Sequence, residues 1–229
     1  SWCYYDKLHE KYPSVKLIFG VEFYECFDMK EQNKESKYFH LIVLAKNENG
    51  RKAINQLVTD SNFHGFYYKP RIDLDALKPY AKDLIVSSAC LASKLAREPD
   101  YQKCVEYVRE YKEIFPHFYL EMQSHSHQDQ MVYNQKILQL SVDTNTPYII
   151  TTDSHAARKE DLYYQNWHVK LAHDTETAAE IYEGCYLQSD DEIHAIMDSQ
   201  IGEDAVTKGL EETDKTAAVS YTHLRAHET

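Results

Sequence analysis

Asp153 and His155 stand two residues apart at the end of an apolar, β-branched run, Tyr148 to Thr152, that follows Pro147. The run reads as a short buried strand, and a proline suits its start. Residues two apart on an extended chain point the same way, so a carboxylate oxygen and an imidazole nitrogen can converge on one point. That donor pair suits zinc or manganese. A plain loop-capping role is the alternative for these two residues, and the side chains supplied by other strands decide between the readings.

Other strand-like segments carry metal-binding residue types. Glu22 lies inside Lys16–Glu25, where a carboxylate is costly to bury unless it is paired or bound to a cation. His40 lies near the start of Tyr38–Ala45; alone it would read as a core histidine. Cys90 closes Asp83–Cys90, either as a small buried filler or as a thiolate ligand. Glu121 and His125, at and beyond the end of the strand His117–Gln123, form a second tier. Together Glu22, His40, Cys90, Asp153 and His155 make a hard-and-borderline donor set from four strand regions. Carboxylates bridging metals suit phosphoester hydrolysis, with Asp153, His155 and Glu22 as the catalytic candidates. The chain has no Gly-x-Ser-x-Gly and no Gly-x-x-x-x-Gly-Lys phosphate loop, so hydroxyl-nucleophile and P-loop chemistry have no support.

The segment Gly65–Asp73 combines aromatic and basic residues. Lys69 and Arg71 could meet a phosphate, and Tyr67 and Tyr68 could stack on bases; packing of the aromatics on the fold is the alternative. Asp73 reads as the cap of a short helix at Leu74–Lys78. Further helices are predicted over Trp2–Tyr12, Arg51–Asn62, Asp100–Phe115, Gln128–Thr144, Lys159–Ala172 and Gly202–Thr216, with a turn or short helix over Asp174–Ala179. Tyr186-Leu187 reads as extended, and Ser189 with Glu192 as a capping box. Strand–helix alternation argues for an α/β fold with a parallel sheet. Polar residues at strand ends then point to a barrel, where function collects at the carboxyl ends of the strands. His40 fits that rule less well; displaced strands, or His64 in its place, would resolve it.

The chain has 229 residues, 43% of them hydrophobic, and a formal net charge of −12. That charge argues against a broad electrostatic grip on nucleic acid, though a local basic patch is compatible with it. Five cysteines, an odd number with no Cys-x-x-Cys, do not make a disulfide framework and fit a reducing, cytoplasmic setting. No apolar run reaches membrane-spanning length, and no signal peptide is visible. The closing Ser220–Thr229 resembles translated sequencing-adapter sequence. Residues 218–229 are therefore read as a non-native tail, without His223 and His227 as ligands.

In this order, GVEFYE, YFHLIVLAKN, GFYYKPRID, LIVSSACL, FYLEMQSH and TTDSHAARKED resemble the polymerase-and-histidinol-phosphatase (PHP) domain that opens bacterial DNA polymerase III alpha subunits. The resemblance covers roughly Trp2 to Ala217. It implies a PHP domain over 1–217, with a linker to the polymerase palm starting from about 200. The implied fold is a distorted (β/α)7 TIM-like barrel, incomplete at its N-terminus. Carried across, the family's carboxylate falls on Glu22, its next histidine on His40, its histidine-or-cysteine on Cys90 and its final pair on Asp153 and His155. The family's opening His-x-His and two further ligands would precede Ser1, and the polymerase parts would follow Ala217. The resemblance implies a metal-dependent phosphoesterase or 3′–5′ exonuclease site holding Zn2+ or Mn2+. It also implies a parent DNA polymerase using Mg2+, primer-template DNA and dNTPs, with sliding clamp and other replisome subunits as partners. The polypeptide as it stands is expected to show no polymerase and little or no nuclease activity. An inactive module that braces the polymerase and binds a proofreading subunit is the alternative; a stand-alone phosphatase is a second, which YYKPRID disfavours.

Overall fold

Residues 7–8, 10–33, 37–173 and 182–221 are described in this computed structural model. The expected helix over Trp2–Tyr12 falls largely outside them, and the turn over Asp174–Ala179 wholly so. The chain divides into two compact units. One comprises the chain up to Ser87, Glu110–Phe118 and the chain from Thr216; the other comprises Ser88–Arg109 and Tyr119–Lys215.

The first unit is built on β1 (Gly20–Glu25) and β2 (Phe39–Ala45). β2 alternates strictly: Phe39, Leu41, Val43 and Ala45 are buried, while His40, Ile42 and Leu44 are half-buried. This is the period-two signature of a strand with one core face. β1 follows the same rule, so Phe23 and Glu25 face the core and Glu22 faces outward. The two strands pair antiparallel, with Glu22 opposite Ile42 and Tyr24 opposite His40. α1 (Glu48–Phe63) starts earlier than the expected Arg51 because Asn47 caps it, its side chain accepting from the Gly50 N–H at 3.0 Å. Ala53, Ile54, Leu57 and Ser61 form its buried stripe, spaced as a helix face requires.

The aromatic-basic segment folds as a tight ribbon rather than a plain loop. β3 (Phe66–Tyr67) turns at Tyr68, whose φ is 59°, into β4 (Lys69–Ile72). β4 lies parallel to β1, and Asp73 caps the short α2 (Leu74–Leu77) as expected, accepting from the Ala76 N–H at 3.0 Å. A 3-10 turn leads to β5 (Leu84–Ser87), antiparallel to β2. The strand order is β3-β4-β1-β2-β5. Among the described residues of this unit only β1–β4 is parallel, which corrects the expectation of a parallel sheet. The described part of the β1–β2 connector holds no helix, and parallel neighbours require a crossover, usually helical.

In the second unit, α3 (Lys94–Arg97) and the first part of α4 (Tyr101–Ile114) lead to β6 (Phe118–Gln123), which belongs here from Tyr119. α5 (Gln128–Thr144) has the bounds the sequence predicts and ends on Asn145 at φ 49°, a left-handed residue that stops a helix. β7 (Tyr148–Thr151) runs parallel to β6, Leu120 opposite Tyr148 and Gln123 opposite Thr151. β6 is buried throughout, the usual state of a parallel strand covered on both faces. α6 (Leu162–His173) follows a 3-10 turn, and α7 (Asp190–Ile201) opens on the capping box of Ser189 and Glu192.

α8 (Glu203–Val219) covers the outer edge of β7. The Thr213 hydroxyl accepts from the Ile150 N–H and lies 2.9 Å from the Ile150 carbonyl oxygen. Gly209 makes this approach feasible, since a Cβ there would come within 2.6 Å of Ile150 Cδ1. The edge is thereby kept from pairing with another chain. Back in the first unit, α8 continues into residues expected to be a tail. Tyr221 donates its N–H to Ala45 O and its hydroxyl to Glu48, at 2.8 and 2.7 Å. Among the described residues no strand pairing closes a sheet on itself, so the architecture is mixed α/β with an open sheet, where the expectation was a distorted (β/α)7 barrel incomplete at its N-terminus. No described helix is long and apolar enough to cross a membrane.

Candidate metal centre

β7 ends at Thr151, one residue before the expected Thr152, and the chain turns sharply after it. Asp153 adopts φ 44°, so it does not sit on an extended strand. The left-handed turn, rather than strand alternation, brings Asp153 beside His155, and Asp is among the few non-glycine residues that tolerate it. His155 Nδ1 lies 2.7 Å from the Asp153 carbonyl oxygen and 4.0 Å from Asp153 Oδ1. A ring N–H donating to that carbonyl keeps the proton on Nδ1 and the lone pair on Nε2. The His155 ring also packs edge-on against Tyr182, with centroids 4.8 Å apart.

Cys185, a residue the sequence reading did not single out, completes the cluster. Ligand atoms of Asp153, His155 and Cys185 all lie within 4.8 Å of one another. The Asp153 and His155 side chains are each about one-third exposed, whereas Cys185 is buried. Burial pushes the Cys185 thiol up to about 12, with the nearby charges of Asp153 and Cys90 adding to the shift. Without a cation, then, this sulfur stays protonated. A carboxylate oxygen, an imidazole nitrogen and a sulfur within reach of one another form a donor set that fits zinc, and a cation would favour loss of the thiol proton.

Cys90 lies in the same unit, just after Ala89 at φ 58°, and its Sγ accepts from the Ala92 N–H at 3.5 Å. Glu121 and His125 have other work. Glu121 is buried and accepts from the Thr151 hydroxyl at 2.7 Å. His125 is buried; its Nδ1 accepts from the His127 N–H at 2.9 Å, and its Nε2 lies 3.4 Å from the Gly184 N. Neither belongs to the ligand cluster; His125 braces the segment that carries Cys185.

In the first unit, His40 Nδ1 lies 2.7 Å from Glu22 Oε1. In the antiparallel register of β1 and β2, His40 lies opposite Tyr24 and Glu22 opposite Ile42, so His40 and Glu22 are diagonal neighbours on one face of the pair. His64, at the exposed C-cap of α1, is not needed for that role. Glu22 is also not the buried carboxylate of this strand. Glu25 is, fully covered and accepting from the Tyr111 hydroxyl at 2.6 Å.

The aromatic-basic ribbon divides into a surface part and a buried part. Tyr68 and Lys69 are exposed, Lys69 standing over the Tyr24 ring at 5.6 Å. Arg71, expected as a phosphate contact, is fully buried. Its guanidinium donates to the carbonyls of Gly65, Met29 and Glu31 at 3.2, 3.3 and 2.7 Å and stands 5.3 Å from the centre of the Tyr67 ring. A guanidinium committed to three backbone carbonyls holds the ribbon together, which corrects the phosphate-binding expectation for Arg71 and turns Tyr67 toward it.

A family model described as the PHP domain matches residues 3–125. The chain belongs to the PHP domain family. This PHP domain is 34% identical over 164 residues to the DNA polymerase III subunit alpha of Borreliella burgdorferi, covering 68% of the chain and 14% of that relative. To the subunit alpha of Treponema pallidum it is 32% identical over 161 residues, 66% of the chain and 14% of the relative. To that of Aquifex aeolicus it is 33% identical over 207 residues, 85% of the chain and 18% of the relative. The chain thus spans less than one-fifth of the length of these curated relatives. The family model ends before Asp153, but an 85% share of the chain necessarily takes in residues 153 to 185.

Proposed function

We propose that this PHP domain is the N-terminal part of a replicative DNA polymerase III alpha subunit and that it carries a metal-dependent phosphoesterase site of the 3′–5′ exonuclease type. The observation that carries this reading is the convergence of Asp153 and His155 on the turn after β7, where a carboxylate oxygen lies 4.0 Å from the imidazole Nδ1. A bound zinc or manganese ion would polarise a phosphoryl oxygen and lower the pKa of a bound water. Asp153 and His155 serve as ligands on the solvent-facing side. Glu22 holds the proton on His40 Nδ1 and so presents the other ring nitrogen as a donor. Cys90 serves as a sulfur ligand.

The parent's substrates and partners follow as part of the same proposal: primer-template DNA, dNTPs with magnesium, a sliding clamp and other replisome subunits. The exposed Tyr68 and Lys69 are the remaining nucleic-acid contacts of the ribbon.

The test is manganese- or zinc-dependent shortening of a primer with a mismatched 3′ end by the alpha subunit that contains this domain. Asp153→Asn is expected to lower the rate by at least about tenfold, the scale of losses at metal sites. Shortening that persists unchanged in Asp153→Asn overturns the nuclease reading. Metal binding without shortening assigns the site a structural role instead, bracing the polymerase. Hydrolysis of a small phosphomonoester without attack on DNA would point to a phosphatase.

A further inference from the structure

We infer that Cys185 is a metal ligand, and that with Asp153 and His155 it forms a zinc-selective site contained in the second unit. The inference rests on the reading of Asp153 and His155 as metal ligands and adds a third donor, which decides the metal.

The position of Cys185 is set by the backbone and does not depend on loose packing. The N–H groups of His155 and Ala156 both donate to the Cys185 carbonyl, at 2.8 and 3.2 Å. Ala156 and Tyr186 form a parallel bridge, and the Leu187 N–H returns to the Ala156 carbonyl at 3.2 Å. The segment with the sulfur is therefore stitched to the segment with the imidazole. Gly184 lets it settle there. A Cβ on residue 184 would fall 2.9 Å from both His125 Cδ2 and the Ser124 carbonyl oxygen, closer than such atoms pack.

A buried cysteine is most often core filler. Cys185 departs from that pattern because its ligand atom faces a carboxylate and an imidazole within 4.8 Å. Sulfur comes from the floor of the site and the two harder donors from its exposed rim. Three protein donors with an accessible side match the zinc sites that keep a coordination position open, in contrast to closed structural sites. A thiolate also sets the choice of ion: soft sulfur favours zinc, while manganese and magnesium prefer all-oxygen surroundings.

The test loads the Cys90→Ser chain with zinc and records X-ray absorption at the zinc edge, so that Cys90 cannot supply the sulfur. One sulfur at about 2.3 Å is expected, and it should vanish in Cys90→Ser/Cys185→Ser. In a competition titration, Cys185→Ser should narrow the preference for zinc over manganese by at least about tenfold, since even outer-shell partners are worth that much. A zinc shell of nitrogen and oxygen alone in Cys90→Ser overturns the inference, and this measurement does not require a Cys185 variant to fold. Sulfur ligation without primer shortening would sink the nuclease reading and leave this inference standing. Shortening lost in Asp153→Asn, with no sulfur at the metal, would do the reverse.

Discussion

Replacing Arg71 separates a folding role from a nucleic-acid role. Arg71→Met keeps the aliphatic stem and removes the guanidinium, which donates to Gly65, Met29 and Glu31. Hydrogen bonds to charged groups contribute roughly 1.5–3 kcal/mol each. The two bonds at 3.2 and 3.3 Å belong at the lower end and the one at 2.7 Å at the upper end. Relief of the several kcal/mol spent in burying the charge offsets part of that loss, leaving a net destabilisation of about 2–4 kcal/mol. With an m-value near ~2–3 kcal/mol/M, the urea midpoint should fall by roughly 1 M. Arg71→Lys keeps the charge but not the fork, and should fall between the variant and the wild type. The assay is urea unfolding followed by far-ultraviolet circular dichroism, run beside single-stranded DNA binding at low salt. Lys69→Ala is the control, because Lys69 is exposed and should leave the midpoint unmoved. An Arg71→Met protein with wild-type stability and weakened DNA binding would refute the reasoning.

Thr213→Val should strand the buried Ile150 N–H at the edge of β7, at a cost of about 1–3 kcal/mol, with Thr213→Ser nearly neutral; urea midpoints check both. Glu48, held down to about 2 by hydrogen bonds from Arg51 and then Tyr221, favours the folded state above its ordinary value of 4.5. That contribution is lost as pH falls from about 4.5 towards 2. The wild type should therefore lose stability more steeply than Glu48→Gln across that window, and parallel midpoint-against-pH curves would count against the assignment. Gly184→Ala should force the Cys185 segment away from Ser124 and His125, destabilising by about 1–3 kcal/mol and weakening zinc binding on calorimetric titration.

Local signals were readable where a residue acts on its own neighbours. The caps at Asp73 and Ser189 and the bounds of α5 follow from side chains bonding to backbone a turn away. Pairings made at a distance were not readable. The reversed direction of β2 leaves no trace in its alternation, which is the same for parallel and antiparallel neighbours. Cys185 follows a glycine in a segment joined to the site by an isolated bridge, and nothing local marks it. Arg71 carries the composition of a surface contact, yet its guanidinium satisfies carbonyls of residues 29 and 31, far away in the chain.

The antiparallel alignment of β1 and β2 has a consequence for how the Glu22–His40 pair could change. The pair depends on strand register, not on how many residues lie between the two strands. A change in the number of residues joining the strands leaves that register intact, provided it spares the Met29 and Glu31 carbonyls that Arg71 holds. A one-residue slip of β2 would instead turn His40 inward and bring Phe39 and Leu41 to the half-exposed face, exchanging a polar donor for hydrocarbon in a single step.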